Sequence, residues 1–185
     1  MPPSKLEIDL EREIKGEVRF DAISKVLYRT DASIYEIEPE GVVIPHDIED
    51  VTRTVKLAAH HGVPILPRGG GTSLAGQTVA NALVIDFSKY MRNVIEVNRE
   101  EGWVFVQPGI ILDELNHQIC QTNMMFAPDP STSNRSNVGG ALGNNSCGSH
   151  SIVWGKTIDN VVELDVVLSN GDQASFAPYS ADMSK

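Results

Sequence analysis

The sequence predicts an α+β fold with two lobes, a small α/β lobe followed by a lobe of mixed and antiparallel sheet. A strand, a helix and a second strand between residues 39 and 90 predict the first lobe. From residue 91 onward, short alternating runs that are typical of hairpins predict the second. Because the chain stops soon after a strand and a turn, with no further core element, we expect the fold to be incomplete at its C-terminus and the chain to be part of a longer one.

Composition and charge argue against several classes of function. The chain has 185 residues, 41% of them hydrophobic, and a formal net charge of -10. An acidic protein without a basic stripe is a poor partner for nucleic acid. The N-terminus lacks a signal-like apolar region and no uncharged run approaches the length of a membrane span, so we expect a cytoplasmic protein. Cys120 and Cys147 lack paired spacing, which predicts free thiols and no metal site.

Residues 1–38 are predicted to form a helical and irregular extension. The stretch "KLEIDLEREIKG" places Leu6, Leu10 and Ile14 at helical spacing among many charges, and Gly16 is expected to end the helix. We therefore expect a short surface helix there.

The first lobe is assigned to residues 39–90. The strands "GVVIP" and "VPIL" flank the helical stretch "IEDVTRTVKLAAHH", which Asp47 can cap and Gly62 can end. A glycine loop follows the second strand, and the strand "ALVIDF" follows the loop. The loop therefore stands at the carboxyl end of a strand, where open α/β sheets present their ligands.

The second lobe is assigned to residues 91–185. "VIEVN" and "GWVFVQPG" predict a hairpin, and "IILDELNHQICQT" predicts a helix that puts Cys120 at or beside the core. A long segment rich in Gly, Ser and Asn comes next and is closed by the strand "VVELDVVLSNGD". A compact domain rarely keeps so much irregular chain without a use for it.

Two glycine-rich motifs carry the functional signal. The first, "PRGGGTSLAGQ", is neither a Walker A motif nor a GxGxxG fingerprint, so it is either an anion site built from backbone amides or a tight surface turn. The second, "SNVGGALGNNSCGS", mixes glycines with amide and hydroxyl side chains that both donate and accept. Two such walls predict a long ligand between them, with phosphates, a ribityl chain and a planar ring.

Together the two motifs resemble the FAD-binding domain of the vanillyl-alcohol oxidase and p-cresol methylhydroxylase (PCMH-type) superfamily. Within it, the chain is most similar to the FAD-linked D-lactate dehydrogenases and glycolate oxidases. The resemblance runs from about Tyr28 to Asp172. It implies a two-lobed PCMH-type FAD-binding domain. Members that attach FAD covalently through this loop have a histidine at the position of Thr72, so dissociable, non-covalent FAD is expected here.

The resemblance and the two motifs give a set of candidate cofactor-binding residues. Three assignments keep alternatives open: Arg68 pairs with a phosphate or a surface acid, Cys147 is a small packing residue rather than a reactive thiol, and His150 supports the flavin ring or acts as an acid or base. The set comprises Arg68, Gly69, Gly70, Gly71, Thr72, Ser73, Leu74, Gly76, Gln77, Pro130, Ser131, Gly139, Gly140, Gly143, Asn144, Asn145, Cys147, Gly148, His150 and Gly155.

The resemblance implies an oxidoreductase that oxidises a small 2-hydroxy acid, of the D-lactate or glycolate class, by hydride transfer to flavin N5. Electrons would then pass to a separate acceptor, such as an iron–sulfur region of the same longer chain. Catalytic residues are expected beyond residue 185, so this chain alone should be inactive. The alternatives are a relative of UDP-N-acetylenolpyruvylglucosamine reductase or alkyldihydroxyacetonephosphate synthase, or a flavin-free interaction module whose glycine loops are only turns.

Overall fold

The computed structural model describes residues 2–178 and has a four-stranded mixed sheet in its first lobe. The strand order is β1-β2-β4-β3, in which β2, β4 and β3 run parallel and β1 is antiparallel to β2. The elements of this lobe are α1 (Lys5–Glu13), β1 (Glu17–Arg19), α2 (Ala22–Tyr28), β2 (Gly41–Ile44), α3 (Ile48–His61), β3 (Ile65–Arg68) and β4 (Leu83–Asp86).

The register of the parallel strands positions the glycine loop. Arg68 at the end of β3 is paired with Asp86 at the end of β4, so the chain leaves both strands at the same edge of the sheet. Val42 and Val84 are fully buried on the central strands and hold this edge against the core. The prediction that the glycine loop stands at the carboxyl end of the second strand is confirmed.

Helix α3 begins and ends where the sequence predicts. The Asp47 side chain accepts a hydrogen bond from the Asp50 amide at 3.0 Å and caps the helix. Gly62 ends it in the left-handed conformation, with φ of 67°. A carboxylate near the N-terminal amides and a glycine after the last turn are both favourable, because they satisfy backbone groups that the helix leaves free.

The N-terminal residues are built into the first lobe more closely than the sequence suggests. Helix α1 packs on α3, and Leu6 and Leu10 are buried in the core, so α1 is more than a surface helix. The helix ends at Glu13, with Ile14 as its C-cap residue, rather than at Gly16. Gly16 serves a different purpose, because a Cβ there would lie 2.1 Å from the carbonyl oxygen of Ile44. The division of the chain at residues 38 and 90 stays a prediction.

The second lobe consists of two separate antiparallel hairpins and short helices. Its core is formed by fully buried apolar side chains of α4 and the turn before it, including Ile110, Leu112 and Leu115. Its elements are β5 (Val94–Asn98), β6 (Trp103–Val106), α4 (Leu112–Ile119), α5 (Val138–Gly143), α6 (Ser151–Trp154), β7 (Leu164–Val167) and β8 (Gln173–Phe176), with 3-10 turns at Cys120–Thr122 and Thr157–Asn160.

Two expectations for this lobe are wrong. Cys120 is exposed rather than beside the core, because α4 ends at Ile119 and the following 3-10 turn faces outward. The glycine-rich segment, predicted to be irregular, contains the helices α5 and α6. Helix α5 is anchored at its start, where Val138 and Gly139 donate to carbonyl oxygens of the turn before α4 at 2.9 and 2.8 Å. Val138 and Ala141 are buried in the lobe's core and hold the helix there.

The helices of the described part are short. The longest, α3, has 14 residues. Within residues 2–178, no helix has the length and apolar character needed to cross a membrane.

Candidate functional site

A cleft of about 810 Å³ lies between the two glycine-rich motifs. One wall is the loop after β3, and the other is formed by the turn before α5, by α5 and by the segment that follows it. Most of the residues predicted from the sequence line this cleft, namely Arg68, Gly69, Gly70, Gly71, Thr72, Ser73, Leu74, Gln77, Pro130, Ser131, Gly139, Gly140, Gly143, Asn144, Asn145 and Cys147.

The first glycines of the loop are required by the second motif. A Cβ on Gly69 would lie 2.5 Å from Asn137 Oδ1, and one on Gly70 would lie 2.2 Å from the carbonyl oxygen of Arg135. Gly71 has φ of 62°, a conformation that residues with a side chain rarely adopt. Gly69 and Gly70 therefore lack side chains because the two walls meet there, and Gly71 lacks one because of its backbone conformation.

The backbone amides of the loop have no acceptor of their own. Among residues 2–178, no N–H group from Gly69 to Leu74 donates to a backbone or side-chain acceptor. Backbone donors left unpaired in a concave loop are costly unless a ligand or water satisfies them. Successive amides of this kind bind anions without a formal positive charge. The arrangement fits the diphosphate of a dinucleotide.

The opposite wall leaves room for a ligand. A Cβ on Gly140 or Gly143 would meet no atom within 4 Å, and both residues line the cleft. In contrast to Gly69 and Gly70, their lack of a side chain is not required by any protein contact. Space that a side chain would fill, opposite a row of unpaired amides, fits a flat and extended molecule.

Hydroxyl groups connect the two walls. Thr72 Oγ1 lies 3.2 Å from Ser136 Oγ, which lies 2.5 Å from Thr132 Oγ1. Three hydroxyls contribute three hydrogens but form two hydrogen bonds with one another, so one O–H remains to be donated elsewhere. All three residues line the cleft, so that hydrogen is available to a ligand acceptor.

Ser73 Oγ and Asn137 Oδ1 are buried polar atoms close in sequence to these hydroxyl groups. Neither has a hydrogen-bond partner in the described part of the protein. The Asn137 amide is oriented by its Nδ2, which donates to the Gly109 carbonyl at 2.5 Å. Unpaired buried polar atoms are uncommon and often mark functional positions. Both residues line the cleft.

The lining of the cleft is positively charged, whereas the protein as a whole is negatively charged. Of the described residues that line it, none is acidic, and Arg68 and Arg135 are its cations. The protein as a whole carries a formal charge of -10. The local excess of positive charge favours an anionic ligand.

Arg68 braces the loop. Its guanidinium donates to the carbonyl oxygens of Tyr28, Thr78 and Thr30 at 3.0, 2.9 and 2.8 Å. It also lies 5.3 Å from the centre of the Tyr28 ring. Burial lowers the pKa of Arg68 from its usual value. Most of the N–H groups of the guanidinium thus donate to backbone carbonyl oxygens of the protein, a role that the sequence did not suggest.

The remaining predicted residues, Gly76, Gly148, His150 and Gly155, do not line the cleft. Gly76 and Gly155 adopt φ of 78° and 76°, and a Cβ on Gly148 would lie 1.9 Å from the Asp129 carbonyl oxygen. His150 pairs with Asp129 through its ring Nδ1 and through its amide at 3.1 Å. These contacts lower the pKa of Asp129, the amide hydrogen bond contributing most. The contact of these four residues with a cofactor stays a prediction.

Cys147 departs from its expected packing role. The side chain is exposed and lines the cleft, whereas the sequence indicated a small packing residue. Cys147 follows α5 and is not among the buried residues of the second lobe's core.

Sequence reasoning missed several residues of the lining. Position was a signal for Arg135, Ser136 and Asn137, because "NRSN" stands between the predicted residues Pro130 and Ser131 and the paired glycines. The residues not predicted are Ala32, Pro67, Ala75, Thr78, Phe87, Pro108, Thr132, Arg135, Ser136, Asn137, Ala141 and Ser146.

Comparison with known proteins finds relatives named as dehydrogenases and oxidases of hydroxy acids. The chain is 38% identical over 179 residues to D-2-hydroxyglutarate dehydrogenase of Pseudomonas putida, covering 95% of this chain and 18% of that protein. It is 34% identical over 165 residues to the glycolate oxidase subunit GlcD of Bacillus subtilis, covering 86% of this chain and 35% of that protein. The chain thus spans well under half the length of either relative.

Solved structures give the same fold. A structure of alkyldihydroxyacetonephosphate synthase matches with a TM-score of 0.84 at 25% identity, covering 95% of this chain and 36% of that one. Xylooligosaccharide oxidase from Myceliophthora thermophila matches with a TM-score of 0.81 at 23% identity, covering 94% and 37%. The sequence profile of a family described as FAD binding domain matches residues 39–176. This chain therefore belongs to the PCMH-type FAD-binding domain family, and FAD is its cofactor.

Proposed function

We propose that this chain forms the FAD-binding part of an oxidoreductase that oxidises a small 2-hydroxy acid. The observation that carries the proposal is the row of unpaired amides from Gly69 to Leu74, which faces a cleft lined by arginines and by no described acidic residue. The relatives named as D-2-hydroxyglutarate dehydrogenase and glycolate oxidase subunit support the substrate class. D-2-hydroxyglutarate thus joins D-lactate and glycolate as a candidate substrate.

Different residues of the cleft would hold different parts of an FAD molecule. The amides of residues 69–74 bind the diphosphate, and Thr72 helps to orient it through its hydroxyl chain. The wall that carries Gly140 and Gly143 leaves space for the ribityl chain and the flavin ring. When bound, FAD accepts the hydride that leaves the substrate carbon. With threonine rather than histidine at position 72, we propose that the cofactor is held without a covalent bond.

The cleft orients the cofactor but offers no obvious proton acceptor for the substrate hydroxyl. Of the described residues that line it, none is a histidine, aspartate, glutamate or lysine. A general base must lie within hydrogen-bond reach of the proton that it takes. We therefore propose that this chain alone binds FAD without oxidising substrate, and that the base belongs to another part of the functional enzyme.

The binding experiment is a titration of the 185-residue chain with FAD, followed by flavin fluorescence. Gly140→Asp introduces a carboxylate into open space in the cleft, and Gly140→Asn is its uncharged control of the same shape. Because like charges repel across a site of low dielectric, we expect the aspartate variant to bind FAD at least about tenfold more weakly than the asparagine variant. Equal affinities of the two variants, or no binding by the wild type, would contradict the proposed cofactor site.

The substrate class is tested by anaerobic mixing. The intact functional enzyme, loaded with FAD, should lose its oxidised-flavin absorbance with one or more of D-lactate, glycolate and D-2-hydroxyglutarate. The FAD-loaded 185-residue chain should keep it with all three. Bleaching of the isolated chain would contradict the proposed division of roles, and failure of the intact enzyme with every acid would contradict the substrate class.

A second candidate has a specific observation in its favour. The structural match to alkyldihydroxyacetonephosphate synthase covers nearly the whole chain. If the function is like that of alkyldihydroxyacetonephosphate synthase, FAD binding would be unchanged. The 2-hydroxy acids would then not bleach the flavin absorbance of the intact enzyme. The electron acceptor, an iron–sulfur region in our prediction, and the cytoplasmic location stay predictions.

A further inference from the structure

Resting on the proposed function, we infer that Arg135 is the side-chain counter-ion of the FAD diphosphate in this cleft. A dinucleotide diphosphate carries two negative charges, which amides alone do not neutralise. The cations of the described lining are Arg68 and Arg135. The inference depends on which of the two is free to turn toward the ligand.

Arg68 is already engaged. Its two terminal nitrogens donate to three carbonyl oxygens of the chain, and its position above Tyr28 fixes the plane of the guanidinium. Turning toward a ligand would leave carbonyl oxygens unpaired in a partly buried site, which costs free energy. Arg68 therefore holds the loop in shape.

Arg135 is differently placed. Its backbone lies against the amide loop, because its carbonyl oxygen is the atom that excludes a side chain from Gly70. Its guanidinium is exposed, and its described hydrogen bond is to the neighbouring Asn134 side chain at 2.8 Å. A bond between adjacent exposed side chains is weak and easily exchanged. The Arg135 side chain is thus anchored beside the unpaired amides and free to pair with a phosphate.

The chemistry of the two partners matches. A guanidinium presents parallel N–H donors that fit two oxygens of a phosphate, and the pair is stronger than a neutral hydrogen bond. The amides of residues 69–74 approach the diphosphate from the loop, while Arg135 reaches it from the opposite wall. The charge complementarity between the cleft and the diphosphate then depends on one exposed side chain.

The test is FAD titration of the wild type, Arg135→Gln, Arg135→Lys and a control, Arg92→Gln, at low and high NaCl concentration. Arg92 is an exposed arginine that pairs with Glu114 at 3.0 Å and does not line the cleft. At low salt we expect Arg135→Gln to weaken FAD binding about tenfold, Arg135→Lys to weaken it about threefold, and Arg92→Gln to leave it unchanged. The difference between wild type and Arg135→Gln should shrink at high salt, because salt screens an exposed ion pair.

The outcomes separate the two proposals. If Arg135→Gln binds FAD as tightly as the wild type does, the inference is overturned and the proposed cofactor site stands. The same result is expected if Arg135 binds the substrate carboxylate instead. A loss of the same size at both salt concentrations, shared by the lysine variant, would overturn it in favour of a structural role. No FAD binding by the wild type would overturn the proposed function and this inference with it.

Discussion

Gly70 and Arg135 lie in backbone contact, so close that a Cβ on Gly70 would be 2.2 Å from the Arg135 carbonyl oxygen. This contact joins the first glycine-rich motif to the residue directly before the second, although the two motifs are far apart in sequence. It explains why the loop has no side chain at position 70. The two walls of the cleft are held together by backbone packing, and the ligand site opens beyond that contact.

Gly70→Ala is expected to lower the free energy of unfolding by about 1–3 kcal/mol, because a backbone carbonyl cannot move aside as a flexible side chain can. Gly140→Ala is the matched control, since a Cβ there meets no atom within 4 Å. Alanine also favours a helix over glycine, so this control should be unchanged or more stable by up to about 1 kcal/mol. Urea unfolding of both variants measures the difference. Equal stability of the two would show that the walls do not depend on this contact.

Asp50 is a buried carboxylate that joins the N-terminal segment to α3. It is fully buried and accepts backbone hydrogen bonds from Lys15, Gly16 and His46 at 3.0, 2.9 and 2.9 Å. Asp50→Asn replaces one acceptor oxygen by a donor and removes the charge, so we expect a loss of about 2–3 kcal/mol in unfolding free energy. Asp113→Asn, at an exposed position of α4, should change it by less than about 0.5 kcal/mol. A small effect of Asp50→Asn in denaturant unfolding would argue against this role.

Glu17 makes the stability of the first lobe depend on pH. Hydrogen bonds from Lys89, from the Tyr90 hydroxyl at 2.7 Å and from Arg19 lower the pKa of Glu17 to about 2. Because the folded pKa lies below the unfolded one, Glu17 stabilises the fold above about pH 4.5, and this contribution disappears as the pH falls toward about 2.

Glu17→Gln should therefore cost about 1–2 kcal/mol near neutral pH, a figure reduced for the partial exposure of the side chain, and nothing at about pH 2. Thermal unfolding of wild type and variant across this range measures the effect, with the exposed Glu163→Gln as control. A constant difference at every pH would contradict the assignment.

The sequence predicts best those features that depend on local chemistry. Helix α3 has a capping aspartate and a terminating glycine on either side of an apolar face, and both act as expected. The glycine loop is recognisable because consecutive glycines are rare outside sites of close approach. Strands β3 and β4 are short but apolar and bounded by turn residues, which is enough to identify them.

Features fixed by distant contacts could not be predicted in the same way. Helix α5 has the sequence "VGGALG", which has a poor intrinsic tendency to form a helix, and it exists because its first amides and its apolar side chains are anchored by the other parts of the second lobe. Strand β1 has three residues and no alternation to reveal it. Residue type does not reveal that the Arg68 guanidinium donates to three carbonyl oxygens, whereas the described hydrogen bond of the Arg135 guanidinium is to the Asn134 side chain.

The most direct test of the cofactor site compares alkylation of the two cysteines with and without FAD. Both thiols are exposed, but Cys147 lines the cleft and Cys120 does not, so the second thiol is an internal control. If FAD binds between the glycine-rich walls, saturating FAD should slow iodoacetamide labelling of Cys147 at least about tenfold and leave that of Cys120 unchanged, as peptide mass spectrometry would measure. Labelling of Cys147 at the same rate with and without FAD would contradict the placement of the cofactor in this cleft.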